Sequence, residues 1–292
     1  MDQAEQLRNI VKKNQQSAAQ KARIFTVTSG KGGVGKSNVA VNLAVQMQRQ
    51  GKKVIIFDAD LGLANVEIMF GAIPKYNLSD LIYRGKTMQE IITPGPLDIG
   101  FISGGSGITG VNNLSKDKLK FLVQNLSELD SLADVILIDT GAGISDHVLE
   151  FVMASPEILL IATSEPSSLT DAYSLLKALH RNPEFRQAQT KIKVISNRVA
   201  TEEEGTGIYE KLNAVVGQFL KGNLEYLGLI PQDSAMEKAV RQQQPVSILY
   251  PDAKSTKAFE TLACNLLEGN TIPLHQKKGI MQLFSRFIYK RN

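Results

Sequence analysis

One local pattern constrains the fold before composition is considered. An apolar run, IFTVT (24–28), passes through SGKGGVGKS (29–37) into a helical pattern over 37–50. A turn this rich in glycine lets the backbone reverse tightly without side-chain clashes, and the helix that follows starts with its amide groups facing back toward the strand end. A strand feeding a helix in this way is half of a βαβ unit, and it demands a parallel neighbour strand.

The rest of the chain supplies such neighbours. Apolar runs recur at 53–57 (KVIIF), 134–138 (DVILI), 157–162 (EILLIA), 193–196 (KVIS) and 226–230 (YLGLI). They are nearly continuous rather than alternating, the mark of strands covered on both faces. Helical patterns lie at 115–130, 167–181 and 208–221. The expected architecture is an α/β, doubly wound, mostly parallel sheet with helices on both faces. Three parts are expected: an N-terminal helix and polar linker (1–22), the α/β domain (23–270) and a C-terminal amphipathic helix (271–292).

Composition narrows the function classes. A single cysteine, Cys264, excludes a disulfide framework and any zinc or iron–sulfur site built from this chain alone. It is expected to be a small buried hydrophobe on a C-terminal helix. The opening MDQAEQLRNI lacks the apolar core of a signal peptide, and no apolar run reaches the ~20 residues of a membrane span. The net charge of +4 is unevenly spread. Lys277, Lys278, Arg286, Lys290 and Arg291 crowd the end of the chain.

Gly30-Lys31-Gly32-Gly33-Val34-Gly35-Lys36-Ser37 fits G-x-x-x-x-G-K-[ST], a loop whose backbone N–H groups cradle phosphates. Lys36 is expected at the β- and γ-phosphates, and the Ser37 hydroxyl on Mg²⁺. Lys31 is an additional cation near the loop's start, where a side chain can project across the nucleotide toward a second molecule. The alternative is a solvated surface lysine.

K-G-G-V-G-K-S resembles the deviant Walker A motif of the MinD/ParA class of P-loop ATPases, and the likeness extends over about residues 23–250. The resemblance implies an ATP- and Mg²⁺-dependent homodimer in which Lys31 reaches the partner's nucleotide. Asp58-Ala-Asp60 resembles the class's switch I, which implies that Asp60 orients or deprotonates the attacking water while Asp58 supports the Mg²⁺ shell. Asp139, after DVILI, resembles Walker B and implies a further Mg²⁺ role. Thr140-Gly-Ala-Gly143 resembles switch II, with Gly141 where many members carry proline. Asn197-Arg198 and Pro231-Gln232-Asp233 resemble the adenine-binding segments, and the Asn197 amide suits the N6/N7 edge.

The chain's ends add two expectations. In 279–292, Ile280, Leu283, Phe284, Phe287 and Ile288 share one helical arc flanked by basic residues, which suits an anionic membrane surface. DQAEQLR (2–8) resembles the activator motif of the flagellar branch of the class, the FlhG or FleN group, which stimulates an FlhF-type GTPase. That implies partner contacts through Gln3 and Leu7, and through the branch also flagellar switch-complex proteins. The expected protein is cytoplasmic, peripherally held at the inner face of the cell membrane, and controls flagellar number or placement. A MinD-type division positioner is the nearest alternative. A ParA-type DNA-segregation ATPase would concentrate its basic residues on the ATPase body, so nucleic acid is not an expected partner. A nitrogenase-type reductase lacks its cysteines here, and a kinase of this loop type would want a tyrosine-rich tail.

Overall fold

The computed structural model describes residues 21–60, 65–104, 121, 125–126, 128–185 and 187–269. The expected N-terminal helix with Gln3 and Leu7, and the C-terminal arc from Ile280 to Ile288, lie outside the described residues. Eight strands form one sheet in the order β3-β4-β2-β5-β1-β6-β7-β8. They are β1 (Arg23–Thr28), β2 (Val54–Ala59), β3 (Thr93–Pro94), β4 (Gly100–Ser103), β5 (Val135–Thr140), β6 (Glu157–Ala162), β7 (Lys191–Val199) and β8 (Glu225–Pro231). Every neighbouring pair is parallel except β3 with β4 at one edge. The doubly wound, mostly parallel α/β architecture is therefore present.

The described helices are α1 (Lys36–Arg49), α2 (Asn65–Phe70), α3 (Leu78–Tyr83), α4 (Met88–Ile91), α5 (Leu129–Leu132), α6 (Asp146–Ala154), α7 (Pro166–Arg181), α8 (Glu202–Leu220), α9 (Ser234–Arg241), α10 (Val246–Leu249) and α11 (Lys254–Glu268). Period-2 alternation sends the strand side chains to the two faces of the sheet. On one face Phe25, Val27, Val135 and Leu137 pack with Leu43 of α1 and Phe259 and Leu262 of α11. On the other, Ile24, Ile136 and Ile138 pack with Leu81 of α3 and Phe151 of α6. Both sides of β1 and β5 are thus covered, which is why their sequences read as unbroken apolar runs.

Three expectations need correction. The edge pair β3–β4 carries no sustained apolar run and was not expected. Helix α8 starts at Glu202, six residues before the expected 208, because the Thr201 hydroxyl caps it by accepting from the Glu204 N–H at 3.2 Å and three glutamates fill its first turn. Cys264 does lie on a late helix, α11, but is only half-buried. The helix expected over 115–130 falls largely outside the described residues.

β1 sits between β5 and β6. The chain leaves β1 toward β2 on one side and later builds β6 to β8 on the other, which opens a crevice at the carboxyl end of β1. The opposite, amino edge is closed by charge. Glu157 accepts from Arg23 Nε at 2.6 Å, Arg23 Nη2 at 2.8 Å and Lys193 Nζ at 2.9 Å. Arg23 Nη1 also donates to the Leu266 carbonyl near the end of α11.

Candidate functional site

The loop from Ser29 to Ser37 fills the crevice at the end of β1. Gly33 (φ 77°) and Gly35 (φ 97°) adopt the left-handed conformation that glycine tolerates best. Gly30 has a different reason: a Cβ there would come within 2.1 Å of the Asp171 carbonyl carbon on α7. Val34, the loop's one apolar residue, is buried in the core beneath α1, while Gly32 and Gly33 are exposed. Lys36 is 9% exposed, at the start of α1 with Ser37.

Register explains how the carboxylates meet the loop. Asp58 on β2 pairs directly with Asp139 on β5, and Asp139 pairs with Val27 on β1. Both aspartates lie inside their strands, which run further than the apolar runs alone suggest. Asp58 is buried and accepts from the backbone N–H of Asp60 at 3.1 Å and of Val66 at 3.2 Å. Burial, reinforced by Asp139, pushes its pKa up to about 8. Asp139 is fully buried, and neither of its carboxylate oxygens has a hydrogen-bond partner. Burial pushes its pKa up to about 6 despite the nearby Ser37 hydroxyl and Lys36 ammonium. Two buried carboxylates side by side, one unpartnered, beside a serine hydroxyl, form a hard oxygen set that suits Mg²⁺ held partly through water.

Asp60 stands just beyond β2, and the Asn65 amide donates to it at 3.4 Å. A Cβ on Gly141 would lie 3.7 Å from Asp60 Oδ1. The Gly143 N–H donates to the Ser29 carbonyl at 3.0 Å. The two segments expected as switches therefore lie side by side, and the Thr140–Gly143 segment is bonded to the phosphate loop.

Lys31 is not merely solvated. Its Nζ donates to Glu165 Oε2 at 2.6 Å and to Ser167 Oγ at 2.7 Å, at the start of α7. The Lys31 bond holds the Glu165 carboxyl below its usual range, and Arg198 adds to the effect. Sequence reasoning missed Glu165 and Ser167. The signal was available, since both follow β6 at the carboxyl edge where such sheets bind ligands.

Asn197 ends the regular part of β7. Its Nδ2 donates to the Val34 carbonyl at 2.7 Å, and its Oδ1 accepts from the Arg198 N–H at 3.0 Å. The amide thus reaches the phosphate loop itself, a contact not anticipated beside its expected adenine role. Gln232 N–H bonds the Val199 carbonyl at 2.9 Å, so the Pro231–Asp233 segment lies against the end of β7. The Asp233 side chain caps α9 through the Ala235 N–H and holds Ser255 of α11, which leaves only its backbone for a ligand.

A crevice of glycine-rich loop, buried lysine, aligned carboxylates and strand-end polar segments is the layout of a nucleotide-binding α/β protein. Residues 25–246 match the family model described as the CobQ/CobB/MinD/ParA nucleotide binding domain, and the chain belongs to that family. The chain is 39% identical to the antiactivator FleN of Pseudomonas aeruginosa, over 82% of this chain and 85% of that one. It is 33% identical to the flagellum site-determining protein YlxH of Helicobacter pylori, over 91% and 90%. Among solved structures it resembles the septum site-determining protein MinD complexed with Mg-ADP from Pyrococcus horikoshii. That match has a TM-score of 0.67 and 26% identity, and covers 85% of this chain and 98% of that one.

Proposed function

We propose that this chain is a slow regulatory ATPase that dimerises on ATP, associates with the membrane and governs flagellar number or placement. The observation that carries the chemistry is the buried Asp58–Asp139 pair, paired across β2 and β5, with the Ser37 hydroxyl and the Lys36 ammonium beside Asp139. Mg²⁺ would supply positive charge to the phosphates of ATP there. Lys36 and the loop amides would hold the β- and γ-phosphates, and Ser37, Asp58 and Asp139 would hold the metal and its water shell. Asp60, next to Gly141, would orient the attacking water. Lys31 completes the partner's site once it leaves Glu165, adding a cation where charge develops.

The flagellar assignment is supported by the FleN and YlxH relatives. In this reading residues 1–22 activate an FlhF-type GTPase through Gln3, and 279–292 bind anionic lipid. Among the described residues no helix is long and apolar enough to cross a membrane. A division-positioning role is the competing reading, supported by 26% identity to septum site-determining MinD of Bacillus subtilis over 92% of this chain.

The deciding experiment measures GTP hydrolysis by a purified FlhF-type GTPase with a peptide of residues 1–22, and with the same peptide carrying Gln3→Ala. Stimulation abolished by the substitution supports the flagellar role. No stimulation by either peptide or full chain moves the division role to the front. ATP turnover that survives Lys36→Ala would sink the role given to Lys36, and no ATP turnover by the unaltered chain would sink the ATPase reading itself.

A further inference from the structure

We propose that Asn197 is a positioning residue of the phosphate loop, fixing the Val34–Gly35 peptide so that the Gly35 N–H is aimed for a phosphate. The proposal rests on the nucleotide reading above and deepens it.

Three observations converge on this peptide. The Val34 side chain is 3% exposed and anchored in the core. Its carbonyl accepts from Asn197 Nδ2 at 2.7 Å, across 163 residues of sequence. Gly35 lies so close to Asn197 that a Cβ on it would meet Nδ2 at 2.6 Å. A peptide unit is planar and trans, so its C=O and N–H point in opposite directions. Holding the Val34 carbonyl toward β7 therefore turns the Gly35 N–H away from β7.

The support behind Asn197 is equally defined. Its Oδ1 is held by the Arg198 N–H at 3.0 Å. That bond fixes which end of the amide faces the loop. Arg198 has φ 59°, and the β7–β8 register shifts between Asn197 and Val199. This irregularity keeps Asn197 buried while leaving Arg198 exposed. β7 stands two strands from β1 in the sheet, so one side chain ties the loop to a strand outside its own βαβ unit. If the second N–H of that amide meets the adenine, base and phosphates are read through one group.

The test separates a loop role from a base-only role by using a ligand with no base. Full-length Asn197→Leu, near in shape, and Asn197→Ala are compared with the unaltered chain. Calorimetry measures Mg-ATP and Mg-tripolyphosphate binding. The expected result is a loss of about tenfold in affinity for both ligands, the usual effect of leaving a buried acceptor unpaired. Tripolyphosphate affinity within twofold of the unaltered chain, with ATP weakened, would overturn the proposal and leave Asn197 a reader of adenine alone.

A second readout needs no ligand. Amide hydrogen exchange across 30–36 should quicken in both variants while 135–140 on β5 is unchanged. Unchanged exchange across 30–36 overturns the proposal. If a variant does not fold, the side-chain amide protons of Asn197 in the unaltered protein decide: slow exchange supports the bond to Val34, and rapid exchange refutes it. Failure of the unaltered chain to bind either ligand would instead remove the nucleotide reading, and the exchange result would still stand on its own.

Discussion

The two edges of the sheet both bury charge, and they handle it in opposite ways. At the amino edge Glu157 is met by Arg23 and Lys193, and every charge has a partner. At the carboxyl edge Asp58 and Asp139 face each other, and both Asp139 oxygens lack a partner. The first cluster is complete within the folded chain. The second is incomplete, and a doubly charged cation with phosphates would complete it. A buried charge left unmatched costs folding free energy, so its retention marks a binding site rather than a structural one.

Removing a carboxylate should therefore act with opposite sign at the two edges. Glu157→Gln leaves Arg23 and Lys193 without their counter-charge, and should lower unfolding free energy by about 3 kcal/mol in urea titrations. Asp139→Asn removes a buried charge whose burial cost the nearby Lys36 ammonium does not offset. It should raise the stability of the ligand-free protein by about 1–2 kcal/mol while abolishing the stabilisation that Mg-ATP confers. A loss of stability in Asp139→Asn would break the comparison.

Acid should distinguish the edges next. Burial alone would raise the Glu157 pKa, but the Arg23 bond and the Lys193 charge outweigh it and hold the carboxyl below its usual 4.5. Its contribution is therefore present above pH 4.5 and is lost as pH falls through the lower folded value. The stability curve should turn down below pH 4.5, and that part of the slope should be missing in Glu157→Gln. Stability curves of equal slope there would sink the assignment.

The smallest effect concerns Lys31. Its ion pair with Glu165 is exposed, so Glu165→Ala should leave the melting temperature nearly unchanged. The same substitution frees Lys31, and ATP-dependent dimerisation followed by light scattering should then need less ATP. An unchanged ATP requirement would mean that the contact with Glu165 does not compete with the partner's site.

Much of this was legible because it is local. The loop 30–37, Asp58, Asp60 and Asp139 all sit at the ends of apolar runs, where pattern and chemistry coincide. Strands β3 and β4 were not, since Thr93–Pro94 has two residues and Gly100–Ser103 only two large apolar ones, among glycines and prolines. Their pairing is decided by tertiary contact with β2, not by propensity. The Lys31–Glu165 and Asn197–Val34 contacts were invisible for another reason. They join residues 134 and 163 apart, and nothing in either local pattern names the other.

The bond from Arg23 to the Leu266 carbonyl carries a consequence for how this chain is handled. Arg23 opens β1, and Leu266 lies near the end of α11. The polypeptide thus enters and leaves its described body at one spot, on the pole away from the phosphate loop. β1 separates the two by six residues, about 20 Å at ~3.3 Å per residue. A probe attached at Lys21 therefore lies near one attached at Glu268, and either senses the phosphate loop only through the sheet between them.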